Sequence, residues 1–161
     1  MKKLLITAIA TLGLSVAHAN DYGVVDLQRV VQNSIYLKQQ NATLQTTIKP
    51  KTTQIEQLQK DLNTIQQKGQ AAKTALEREK LAKEFDTKAE QLGKLQQEVQ
   101  NTVQSSMQNV NKTFDGRLKV AAEQLRSENK LDVILNKNAA LAYDVKADLT
   151  DRMIQKVNAM K

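Results

Sequence analysis

The 161-residue chain has no cysteine, no tryptophan, one proline, five glycines and one histidine. Without cysteine there is no disulfide, no thiolate nucleophile and no thiolate ligand for a metal. Gly and Pro together make up roughly 12% of an ordinary globular domain. Six such residues in 161 supply too little turn chemistry for a many-stranded sandwich or barrel, and long helices are what remains. The aromatics are only Tyr22, Tyr36, Phe85, Phe114 and Tyr143. Large rings usually supply much of the buried area, so their scarcity, with a mean hydropathy of −0.51, points to an extended shape.

Lys2 and Lys3 precede a mostly apolar run from Leu4 to Val16, followed by Ala17-His18-Ala19. Thirteen residues are too few to span a bilayer. A basic start, a short apolar run and a small-x-small end form the pattern of a secretory leader, 1–19, cleaved after Ala19. Cleavage leaves 22 basic residues against 17 acidic, a formal charge of +5, and removes His18, the only histidine. A mature chain with neither His nor Cys lacks the imidazole base, the thiolate and the ligands that hold zinc, copper or haem. The expectation is therefore a non-enzyme without metal or cofactor, exported to a bacterial periplasm. No later apolar stretch approaches 18 residues.

Three zones follow the leader. Tyr22 to Leu27 is short and β-branched and reads as a strand with Val25 and Leu27 on one face. The span 34–128 is Gln-rich, with apolar residues at helical spacing. In its first half a heptad with a at 41, 48, 55, 62 and d at 37, 44, 51, 58, 65 is apolar at seven of nine positions, Asn41 and Lys51 being the exceptions. That pattern predicts a helix with a narrow seam, kinked at Pro50. In the second half Leu81, Leu92, Val103, Phe114 and Leu125 recur every eleven residues, which predicts a nearly straight helix. The segment 66–74 breaks the heptad, contains Gly69, and carries Lys68 and Lys73 with no acid between Asp61 and Glu77. It is the expected tip of a helical hairpin.

Strand-like sequence returns in the last zone. Leu131 to Leu135 and Ala140 to Val145 flank an Asn136-Lys137-Asn138 turn and predict a β-hairpin, with Val133, Leu135, Leu141 and Tyr143 on its apolar side. Asp148 is placed to cap a closing helix with the stripe Leu149, Met153, Ile154 and Val157. Three short strands have too little area to be stable alone. Self-association is the physical remedy, with nine strands in a trimer able to close a barrel.

Gly23-Val24-Val25-Asp26-Leu27-Gln28-Arg29-Val30, Leu131-Asp132-Val133-Ile134-Leu135, Asn138-Ala139-Ala140-Leu141-Ala142-Tyr143, Asp148-Leu149-Thr150 and the Lys49-Pro50-Lys51 break resemble the Skp family of periplasmic chaperones, the OmpH-like proteins. The interval from Tyr143 to Asp148 is shorter than the family pattern. The resemblance implies a mainly α fold with a small β body. In it a long antiparallel helical hairpin, 34–128, projects like a tentacle from a short-stranded trimeric β-barrel built from 20–33 and 129–161. It also implies ATP-independent holding of unfolded outer-membrane proteins, and the chain has no phosphate loop of the Gly-x-x-x-x-Gly-Lys-[Ser/Thr] kind.

Within that frame Val25, Leu27, Val133, Leu135, Leu141 and Tyr143 are the expected trimer core. The regular stripe through Leu92, Leu95, Val99 and Val110 reads as hairpin core. Phe85, Met107 and Phe114 are the candidate client contacts, because Met is pliable and an aromatic on a thin arm has little depth to hide in. Lys68 and Lys73 form a candidate basic tip for anionic lipid, lipopolysaccharide or acidic client segments, against the plain reading of a solvated face. The exported compartment and the lack of stacking rings argue against nucleic acid. Glu77/Glu79 and Glu84/Asp86 stand two apart on a helix and face different ways, which is no catalytic pairing. The competing reading is an exported coiled-coil adaptor or spacer that clamps one fixed partner.

Overall fold

A computed structural model describes residues 21–160; the expected leader, 1–19, lies outside the described residues. The elements in chain order are β1 (Tyr22–Val25), α1 (Leu27–Asn33), α2 (Ile35–Ala71), α3 (Ala75–Glu128), β2 (Val133–Asn136) and α4 (Thr150–Ala159), with single 3-10 turns at Lys137–Ala139 and Val145–Ala147.

The starts of α1, α2 and α3 each have an N-cap side-chain acceptor for an otherwise orphaned N–H. Asp26 accepts from Arg29 N–H at 3.0 Å, Ser34 from Leu37 at 3.2 Å and Thr74 from Glu77 at 3.2 Å. Asp148, the expected cap of the closing helix, lies one residue before the N-cap, which is Leu149 and has no side-chain cap hydrogen bond; Asp148 accepts from the Thr150 N–H at 2.8 Å in a local turn ahead of α4. At the far end of α3, Lys130 adopts φ 55°. The Leu131 N–H reaches Arg126 O at 2.9 Å and the Lys130 N–H reaches Ser127 O at 3.2 Å. This is a Schellman ending with lysine where glycine is usual.

The arm is α2 against α3, joined by Ala72 to Thr74 inside the expected tip. At 1.5 Å per residue the 37 and 54 residues of the two helices run about 55 and 80 Å. Leu44, Ile48, Ile55, Leu58 and Leu62 are half-buried along the seam and Ile65 is buried, as the heptad requires. Lys51, polar at a d position, reaches across the hairpin to Glu98 at 2.6 Å, and Lys88 reaches Asp61 at 2.7 Å. α2 runs through Pro50 without ending. Beyond it the Lys49 carbonyl accepts from the hydroxyls of Thr52 and Thr53. All five residues of the eleven-residue series are at least partly buried.

The body holds the one continuous core among the described residues: Val25, Val30, Phe114, Ala121, Leu125, Leu149, Met153 and Val157. Burial of each of the larger of these side chains contributes about 1.5–3 kcal/mol. β1 and β2 pair in parallel, Tyr22 opposite Val133 through Val25 opposite Asn136. The other edge of β1 is met by Leu149 N–H donating to Val24 O at 2.8 Å.

Three expectations are corrected here. The first strand ends at Val25, and Leu27 opens α1; an acceptor side chain at Asp26 followed by Leu27, Val30 and Val31 is a helix start. Val24 and Val25 are both buried, so β1 is covered on both faces rather than alternating. No strand forms at 140–145. Asn136 accepts from the Asn138 N–H and Asp144 from the Lys146 N–H, and these local turns divert the chain before it can pair back on β2. Within one chain the sheet therefore has two parallel strands, not three strands with a hairpin.

Candidate functional site

Two surfaces of the molecule present apolar groups without covering them. On the body, Tyr22 at the start of β1, Leu27 at the start of α1, Val133 and Leu135 on β2, and Leu141 and Val145 in the segment after it are exposed. Val133 and Leu135 point away because the pleat turns Ile134 inward, where it packs against the core. A groove of about 360 Å³ beside them is lined by Val25, Leu27, Leu118, Ala122, Ile134 and Leu135 among others. Five of the six residues expected at a trimer centre thus carry accessible surface in the single chain: Leu141 is fully exposed and Tyr143 partly so. The sixth, Val25, is 1% exposed and belongs to the subunit's own core.

On the arm, Met107 is 56% exposed and borders a cleft of about 130 Å³ between the helices, with Leu37, Leu44 and Val110. Phe85 is 36% exposed and lines a depression of about 340 Å³ near the tip with Ile65 and Leu81. Phe114 is a correction. It is 6% exposed and sits in the body core, because the last third of α3 is not free arm but the central helix of the body. Its place in the eleven-residue series already put it on the inward stripe. Leu76, in the first turn of α3, escaped the sequence reading. It is 78% exposed, and its position outside both repeats was the available signal.

Lys68 and Lys73 are exposed at the tip. Lys68 shares a depression of about 340 Å³ with Glu77, Lys80 and Glu84, so the tip carries mixed charge and not a uniform basic patch. Midway down the arm, the hydrogen bond from Lys88 holds the Asp61 carboxyl below the usual carboxylate range and Asp61 in turn raises Lys88. Among the described residues no group of three acidic side chains or His is placed to hold a metal ion. Nor is any described helix long and apolar enough to cross a membrane.

Residues 21–157 match the family profile described as outer membrane protein (OmpH-like). A Skp-like protein of Chlamydia pneumoniae is 31% identical over 166 residues, covering 98% of this chain and 96% of that one. A Skp-like protein of Chlamydia muridarum (strain MoPn / Nigg) is 26% identical over 171 residues, covering 96% and 95%. In fold, the chain is similar to a crystal structure assigned as an OmpH-like outer membrane chaperone of Caulobacter crescentus CB15. The TM-score is 0.67 at 20% identity, over 86% of this chain and 84% of that one. With a profile match that runs from β1 into the last turns of α4 and a relative aligned over nearly its whole length, the chain belongs to the OmpH-like outer membrane protein family.

Proposed function

We propose that the mature chain, from Asn20, is a periplasmic, ATP-independent holdase that assembles as a homotrimer and keeps unfolded outer-membrane proteins from aggregating in a cavity between its arms. The observation that carries this reading is the division of labour along one chain. A body exposes β2 and its neighbours as an apolar face, while an arm tens of ångströms long buries only a narrow seam. An exposed apolar face of this kind is a self-association surface, and three copies of so thin an arm enclose space without filling it.

The contacts with client would be Leu76, Phe85 and Met107, spread along α3 at different heights. Each isolated contact is worth about 1 kcal/mol, and several engaged at once on flexible arms give useful retention by multivalency. Such binding needs neither nucleotide nor metal. Anionic lipid or lipopolysaccharide remains a partner for Lys68 and Lys73 only in so far as Glu77 and Glu84 leave their charge available.

The test is refolding of a denatured outer-membrane β-barrel protein with and without the mature chain, in the absence of ATP. Aggregation should fall at stoichiometric trimer, for several unrelated clients. Protection limited to one partner would favour the adaptor instead. The Leu76, Phe85, Met107 triple Ser variant should protect less, whereas a variant protecting as well as the parent would mean that the clasping surface lies elsewhere.

A further inference from the structure

Charge is spread unevenly along the arm. Residues 39–48 of α2 and 99–111 of α3 contain no Asp, Glu, Lys or Arg, whereas 49–98 contain eighteen. The two neutral stretches stand side by side. Lys51 meets Glu98 at 2.6 Å just tipward of both, and Leu44, Met107 and Val110 line one cleft within them. The hairpin therefore wears a belt without charge, about 15 to 20 Å tall at 1.5 Å per residue, between the charged outer arm and the body.

Met107 is the one large apolar side chain of that belt left exposed, at 56%. Leu44, Ile48, Val99, Val103 and Val110 are half-buried along the seam. Of the other methionines beyond 1–19, Met153 is 2% exposed in the body core and Met160 packs against that core. With no cysteine in the chain, the Met107 thioether is the accessible sulfur.

A thioether reacts with hydrogen peroxide directly. A sulfur lone pair attacks one peroxide oxygen, the O–O bond breaks, and the second oxygen leaves as water after proton transfer. Sulfur is oxidised by two electrons and the peroxide is reduced. The step needs no catalytic base, so access decides its rate. A client side chain packed on Met107 gains from covering a pliable thioether. Packed on the sulfoxide, it would bury a strong acceptor oxygen for which the belt holds no cationic side chain, and an unpaired polar group is costly to bury.

We infer that Met107 is an oxidation site through which a peroxide lowers the hold of the arm on its client. This rests on the holdase reading and adds its regulation. Oxidation places one oxygen dipole, in every copy of the chain, where no charge stands. Leu44 and Val110 in the seam beside it are untouched, so the oxidised chain keeps its fold and assembly and loses apolar contact alone.

The mature chain is exposed to graded hydrogen peroxide, the peroxide is removed, and oxidised peptides are identified by mass spectrometry. Met107 should oxidise at least about tenfold faster than Met153 and about threefold faster than Met160, with helical circular dichroism and sedimentation unchanged. A labelled, unfolded outer-membrane β-barrel protein is then bound and chased with unlabelled client. Release should be at least about threefold faster from the oxidised chain than from the parent. It should be similarly fast from unoxidised Met107→Gln, which sets a polar amide of similar length there, and should stay at the parent's unoxidised rate in peroxide-treated Met107→Leu. A Met107 that oxidises no sooner than Met153, or only once the helices melt, would overturn the site. Release unchanged by oxidation, or accelerated equally in treated Met107→Leu, would overturn the regulation. A parent that captures no client before any peroxide is added would refute the holdase reading, and this regulation with it, while the relative oxidation rates test the site in either case.

Discussion

At the scale of single residues, several side chains carry more than their type suggests. Leu125 is fully buried at the centre of the body, and Leu125→Ala should cost about 2–5 kcal/mol through lost burial and a cavity, read from the urea midpoint. Lys130 pays the steric cost of a left-handed backbone to end α3, and Lys130→Gly should raise stability by roughly 0.5–1 kcal/mol while leaving the Schellman hydrogen bonds in place. Glu128 accepts from Lys156 at 2.6 Å and Arg152 at 3.2 Å. The bond from Lys156, and after it the charges of Lys156 and Arg152, hold its carboxyl below the ordinary value against an opposing effect of burial. A carboxylate depressed on folding stabilises the folded state above its unfolded pKa and loses that contribution as pH falls through the folded one. The docking of α4 on α3 should therefore weaken below about pH 4. Glu128→Gln should lower stability near neutrality and flatten part of the acid decline in a pH series of thermal melts.

At the scale of elements, the arm and the body differ in what holds them. The α2/α3 pair relies on a half-buried seam and on cross-hairpin ion pairs that solvent still reaches, which are salt-sensitive and individually weak; the body has fully buried side chains. Amides of the arm should therefore exchange much faster than those of α4 and the body end of α3, and uniform protection along the chain would contradict this. Pro50 removes one backbone hydrogen bond from α2 and sets its ring against the preceding turn. Pro50→Ala should stiffen the arm by up to about 3 kcal/mol of local helix stability, slow exchange around 46–54, and narrow the range of client sizes accepted in aggregation assays.

At the scale of the whole molecule, the unmatched feature is the apolar face of β2. A two-stranded sheet exposing Val133 at 41% and Leu135 at 38% is marginal by itself. The mature chain should sediment as an oligomer of about three chains at micromolar concentration. Val133→Asp should shift it toward monomer, because association would bury an unpaired charge in each copy. A stable folded monomer for the parent would refute this. On the proposed reading, with 1–19 removed, the formal charge falls to +5 and adds steering toward acidic clients, so their capture measured by stopped flow should slow as salt rises while dissociation changes less.

What the amino-acid sequence determined by itself is what depends on local periodicity. The heptad through Leu44, Ile48, Ile55 and Leu58 and the eleven-residue series from Leu81 to Leu125 each put one face of a helix in a definite place, and both are where the pattern says. Tertiary structure alone decided which partner each face meets. Phe114 has the spacing of the series and the chemistry of a client contact; only the docking of α4 and β1 on the end of α3 makes it core. Val133 to Asn136 has strand sequence, but its partner is β1, more than a hundred residues earlier, and not the adjacent 140–145. Asx turns at Asn136 and Asp144 close at lower entropic cost than the longer hairpin loop. The same holds at the start of α2, where Asn158 accepts from the Ile35 N–H at 2.8 Å and the two residues share no motif. A hydrogen bond between residues 123 positions apart leaves no periodic trace in the chain, because its geometry exists only once the helices between have packed.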